Sequence, residues 1–150
     1  MSTSRLVFVD CEAQGPCPAT GQLTEFGAVA YDTGTSFHGM LLDRTPALER
    51  EVWERFAQWL HLHVGGSPVF VSDNPAFDWQ WINDGFHRTL GGNPFGHSAR
   101  RIGDFYAGLT GDFHNTQRWK RLRVTPHDHN PVHDAQGNVE AFRRLLQGER

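Results

Sequence analysis

Near the start of the chain, "LVFV" (6–9) runs straight into "DCE" (10–12). A strand with one wet face alternates apolar and polar residues, and this run does not. Unbroken apolar sequence of this length suits a strand covered on both faces, so the chain has to fold in layers around a sheet. The acids at its end add a second constraint. Residues two apart on a strand point to the same side, which sets Asp10 and Glu12 together next to the core. Paired carboxylates repel there unless a cation lies between them, or unless the strand end simply opens to water.

The remaining elements follow from pattern and punctuation. "LTEFGAVAYD" (23–32) and "TSFHGMLLD" (35–43) read as two further strands joined through "DTGT", giving an antiparallel meander with the first. A helix is expected after Thr45 as N-cap and Pro46 as first helical residue, ending before Gly65-Gly66, with Val52, Phe56, Trp59 and Leu60 as its apolar stripe. "PVFVSD" (68–73) is a short buried strand, and "AFDWQWINDGFHRTL" (76–90) a helix with Ile82, Phe86 and Leu90 inward. "RRIGD" (100–104) reads as a fifth strand and "FYAGL" (105–109) as a short helix; the last helix runs from Pro131 to Leu146 with Ala135, Val139, Phe142 and Leu146 on one face. The order βββαβαβα predicts an α/β fold, a mixed sheet flanked by helices, as one domain over residues 1–150.

Composition narrows the function class. A formal charge of −3 argues against a passive nucleic-acid coat, which is strongly basic. The charge is uneven, however: Arg118, Lys120, Arg121 and Arg123 crowd one segment, either as a solvated face or as a phosphate-binding strip. Cys11 and Cys17 have no second pair, so they read as reduced thiols rather than a zinc site. With no apolar run of membrane-spanning length and no signal pattern at the start, the expectation is a cytoplasmic protein without membrane association.

Two helix starts share one grammar. "DNPAFD" (73–78) and "HNPVHD" (129–134) both read Asn-Pro-x-x-Asp, which places Asp78 and Asp134 at the end of a first helical turn. Acids are favoured there by the helix dipole alone. Together with Asp10 and Glu12 they nevertheless offer four oxygen donors from one strand and two helix starts, a set suited to Mg²⁺ or Mn²⁺ rather than zinc. A zinc site from His129 and His133 would need helix at both positions, and Pro131 works against that at the residues before it.

"DCE" after a buried strand, "NPAFD" at a helix start and His129-x-x-x-x-Asp134 near the end resemble the three motifs of the DEDDh 3′–5′ exonucleases. The resemblance covers nearly the whole chain, since "LTEFGAV" and "ARRIGDFYAGL" are similar to that family's second and fifth strand regions. It implies a ribonuclease H-like fold with a central five-stranded mixed sheet. It also implies a metal-dependent hydrolase that releases nucleoside 5′-monophosphates from single-stranded 3′ ends. By the same resemblance, Asp10, Glu12, Asp78 and Asp134 hold two divalent cations, Mg²⁺ or Mn²⁺, and His129 is the general base that takes the proton from the attacking water. Local sequence agrees on His129. With Asn130 as cap and Pro131 as first helical residue, it lies just outside the helix, whose positive end disfavours imidazolium. His127 and His133 are expected to be bystanders. The only tyrosines, Tyr31 and Tyr106, lie far from the third motif, which excludes the family's tyrosine variant.

Ala13-Gln14-Gly15-Pro16 departs from the Thr-Thr-Gly or Met-Thr-Gly frequent in the family after the acidic pair. That segment meets the terminal nucleotide there, so Ala13 and Gln14, with Asn74, Phe77 and Trp81, are the expected substrate contacts, the aromatics by stacking. The small format favours RNA or short oligonucleotides over DNA. Two other readings stand beside this one: cleavage of very short or cyclic signalling oligonucleotides, and a non-catalytic nucleic-acid-binding or adaptor domain on the same fold. The family resemblance also allows a homodimer.

Overall fold

The computed structural model describes residues 2–150. In chain order its elements are β1 (Leu6–Gln14), β2 (Gln22–Ala30), β3 (Ser36–Met40), α1 (Pro46–His63), β4 (Val69–Ser72), α2 (Pro75–Leu90), β5 (Ala99–Arg101), α3 (Ile102–Thr110), a 3₁₀ helix (Arg118–Leu122) and α4 (Pro131–Leu146). The sheet order is β3-β2-β1-β4-β5, with β1, β2 and β3 antiparallel and β4 and β5 parallel to β1. This is the mixed five-stranded sheet that the sequence predicts.

Val7, Phe8 and Val9 are fully buried, as an unbroken apolar run requires. Val7, Val9 and Cys11 face a core built with Trp53 and Phe56 of α1 and Ile82 and Phe86 of α2. Phe8 faces the opposite layer, with Ile102 and Tyr106 of α3, Trp119 of the 3₁₀ helix and Val139 and Phe142 of α4. Strand alternation therefore sends Asp10 and Glu12, which follow Phe8 in phase, toward α4.

The helix boundaries follow local chemistry. Thr45 Oγ1 accepts from Leu48 N at 3.4 Å at the start of α1, and Trp53 joins the buried stripe beside the expected residues. The fifth strand is shorter than "RRIGD" suggests, because the backbone turns helical at Ile102 and Gly103; α3 is correspondingly longer than "FYAGL". The inward face of α4 ends on Leu145 rather than Leu146, which stays half-buried. No helix among the described residues is long and apolar enough to cross a membrane.

Gly27 decides how close α4 comes to the sheet. It lies opposite Asp10 in the β1–β2 register, and a Cβ on it would stand 2.4 Å from Pro131 C and Val132 N. The first turn of α4 thus rests with its backbone against β2, beside the paired acids. Gly27→Ala should push this turn away, lowering stability by about 1–3 kcal/mol in denaturant titrations and weakening divalent-cation binding in the folded protein. Unchanged values for both would show that α4 is not held at this point.

Candidate active site

Strand β1 outlasts its partner β4: the parallel pairing ends at Phe8↔Val71, leaving the next backbone groups of β1 open on that side. Asp78 fills part of this gap. Its Oδ1 accepts from Cys11 N at 3.0 Å, so the second helix start is tied to the strand that carries the acids. On the other side the β1–β2 register slips between Glu12 and Ala13, and Thr24 Oγ1 donates to Glu12 O at 2.9 Å. A bulge of this kind re-aims side chains at a strand end.

The carboxylates of Asp10, Glu12 and Asp134 bring ligand oxygens within 4.8 Å of one another. Asp78 lies outside that group, held on the Cys11 amide. Asp134 is 1% exposed; its Oδ1 receives Arg123 Nη2 at 3.2 Å and His127 Nδ1 at 2.9 Å, while its Oδ2 is buried without a partner. A buried acceptor left open beside two further carboxylates fits a divalent cation. The electrostatics agree. Burial and then the charges of Asp78, Asp134 and Glu12 push the Asp10 carboxyl up to about 9, with Arg123 opposing. Burial raises Asp78 to about 7 against the Cys11 amide and the adjacent Ser72 hydroxyl, which lies close but not in good hydrogen-bond geometry. Glu12 is raised as well, chiefly by burial, and His129 opposes the rise.

The histidine loop is anchored at both ends. Glu140 accepts from Val124 N and Thr125 N at 3.0 and 2.7 Å, and from Thr125 Oγ1 at 2.7 Å. Asp128 accepts from Asn130 N at 3.0 Å and pairs with His133 Nδ1 at 2.7 Å. Asn130 caps α4 as expected, taking Val132 N at 3.0 Å. Between these anchors His129 adopts φ 60°, in the left-handed region that non-glycine residues enter only when held. Its Nδ1 is 3.6 Å from Glu12 Oε1, and its ring meets that of His127 edge-on with centroids 4.4 Å apart.

Several expectations need correction here. Asn74 does not cap α2 with its side chain, unlike Asn130, and that side chain is exposed. Trp81 is 2% exposed in the core, which leaves little of its ring for a nucleotide; half-buried Phe77 packs edge-on to it at 5.9 Å. Ala13 is half-buried and Gln14 exposed at the end of β1. His127 and His133 are not idle, the first lying on Asp134 and the second bracing Asp128. The basic segment divides: Trp119 and Leu122 enter the core, Lys120 pairs with Asp73 at 2.6 Å, and Arg123 turns inward to Asp134. A cleft of about 410 Å³ beside Asp10 is lined by Lys120, Arg123, Thr125, Pro126 and His127. Sequence alone singles out neither Asn138, nor Gly27, nor the inward turn of Arg123, although a glycine inside a strand run and a polar residue on the buried face of α4 are signals of close approach and of a polar network.

No protein-family model matches the chain. The 3′–5′ DNA exonuclease Cap18 of Escherichia coli is 30% identical over an alignment 178 positions long, gaps included, taking in 97% of this chain and 94% of that protein. Among solved structures, the zinc-bound complex of E. coli ExoI with single-stranded DNA matches with a TM-score of 0.62 at 16% identity, over 97% of this chain and 40% of that one. The second likeness is one of fold, ribonuclease H-like, and the chain spans 40% of the ExoI chain. With the Cap18 match over almost its whole length, the chain belongs to the DEDD-type 3′–5′ exonucleases of the ribonuclease H-like superfamily.

In metal-free protein the raised carboxyls give a pH signature. Folded, Asp10 keeps its proton up to about pH 9, whereas its ordinary value is 3.8. The folded state holds the extra proton throughout that window, so stability falls as pH rises through it. Melting of chelator-treated protein should therefore drop in temperature from pH 5 to pH 9, and Asp10→Asn should flatten the slope. A slope of opposite sign, or one that Asp10→Asn leaves intact, would refute the crowding of carboxylates.

Proposed function

We propose that this chain, as one exonuclease domain, removes nucleoside 5′-monophosphates from single-stranded 3′ ends, with DNA as principal substrate. The reading is carried by one observation: β1 and the start of α4 bring three carboxylates within 4.8 Å, with an unpartnered buried oxygen among them. The E. coli relative, matched over 94% of its length, supports the polarity and DNA, and the single-stranded DNA of the ExoI complex supports a single-stranded substrate. These outweigh the preference for RNA that the small format suggests.

Asp10, Glu12 and Asp134 would hold one divalent cation, and Asp10 with Asp78 would serve a second; all-oxygen donors suit Mg²⁺ or Mn²⁺. Such ions supply positive charge at the attacking and leaving oxygens of an in-line displacement at phosphorus. His129 takes the proton of the attacking water, with Glu12 3.6 Å from its Nδ1 to orient the ring. Exposed Asn74 and Gln14, with Ala13 and Phe77, border the terminal nucleotide. His127 is a rival for the base, since it already lies 2.9 Å from Asp134. An adaptor role would leave the convergence of these acids and histidines without a purpose.

The test uses 5′-labelled single- and double-stranded DNA and RNA with Mg²⁺, Mn²⁺ or chelator. Laddering from the 3′ end of single-stranded DNA, abolished by chelation, is expected; a single internal cut or no metal requirement would contradict the reading. His129→Ala should lower kcat by about 10²–10⁴-fold with little change in cation affinity. If His127→Ala loses turnover and His129→Ala does not, the base is His127.

A further inference from the structure

Arg123 is buried where a charged side chain is costly. Its side chain is 12% exposed, and its Nε has no hydrogen-bond partner. Nη1 donates to Asn138 Oδ1 at 3.1 Å and Nη2 to Asp134 Oδ1 at 3.2 Å; Asn138 is itself 1% exposed. Gly137 makes the space. A Cβ there would stand 2.7 Å from Nε and Nη2, so any other residue at 137 competes with the guanidinium for one volume. An apolar side chain would fill that volume with a smaller desolvation penalty. What it could not do is fix one oxygen of a neighbouring carboxylate.

That oxygen is the informative one. Oδ1 of Asp134 takes Arg123 and His127, and Oδ2 is left buried and open. Groups that orient a metal ligand without touching the metal typically change cation affinity or activity by about 10–100-fold when removed. We propose that Arg123 is a positioning residue for the metal centre: it holds Oδ1 of Asp134, braced by Asn138 and seated against Gly137, so that Oδ2 is presented to the cation. This rests on Asp134 being a metal ligand, as proposed above.

A plain counter-charge role predicts the opposite outcome, because removing a positive group near a cation site tightens cation binding. The measurement is Mn²⁺ titration of the full chain without nucleic acid, followed by the electron paramagnetic resonance of free Mn²⁺, below the melting transition of each variant. Gly137→Ala displaces the guanidinium without altering any charge, and Arg123→Met removes it. Both should bind Mn²⁺ about 10–100-fold more weakly, with nuclease activity recovering as Mn²⁺ is raised. Affinity within threefold of the parent, or tighter, overturns the inference. Should Gly137→Ala fail to fold, Asn138→Ala, which removes only the brace, decides it by the same criterion. If the unsubstituted chain binds no Mn²⁺, the functional reading itself falls and this inference with it; equal binding by parent and variants overturns this inference alone.

Discussion

The contact between Gly27 and the first turn of α4 sets the distance on which the rest of the molecule depends. Backbone meets backbone there, because any side chain at position 27 would occupy the place of Pro131 and Val132. Asp10 lies across the β1–β2 ladder from Gly27, so whatever brings α4 onto β2 also brings Asp134 to Asp10. Three carboxylates then bring ligand oxygens within 4.8 Å of one another. Burial first, and then repulsion from the neighbouring carboxylates, push the Asp10 carboxyl up, and Arg123 opposes this. An arrangement of this kind suits a divalent cation as its counter-charge.

Around that centre the polar groups act as a frame. Asp78 closes the open flank of β1, Glu140 fixes the entry to the histidine loop, and the Asp128–His133 pair fixes its exit. These bonds set the path of the loop at both ends, and between them His129 adopts the left-handed backbone conformation uncommon for non-glycine residues. The placement of the histidines thus depends on residues outside the three-carboxylate cluster. Most of them lie on or next to α4, which supplies a metal ligand candidate, the cap below His129 and the seat for Arg123.

Local signals made much of this legible beforehand. The unbroken run before Asp10 required a doubly covered strand, and the Asn-Pro-x-x-Asp starts placed Asp78 and Asp134 correctly on their helices. What pattern cannot carry is the distance between elements. Asp78 and Asp134 look alike in sequence, yet one is tied to a backbone amide and the other keeps an oxygen open, because α2 and α4 approach β1 from opposite layers. Arg123 was hidden in a basic run whose other members face outward or pair with Asp73, and only the space at Gly137 separates it from them. The stacking wall expected at Trp81 is lost to the core, because one helical turn beyond half-buried Phe77 this ring points fully inward.

The central claim is that the centre formed by Asp10, Glu12 and Asp134 is where the cation sits. A crystal structure with Mn²⁺ and a nucleoside 5′-monophosphate, read by the anomalous signal of manganese, tests it most directly. The account predicts manganese ligated by Asp10, Glu12 and Oδ2 of Asp134, with the nucleotide phosphate on it. Manganese held instead by His127, His129 or His133, or absent from the carboxylates while bound elsewhere, would contradict it.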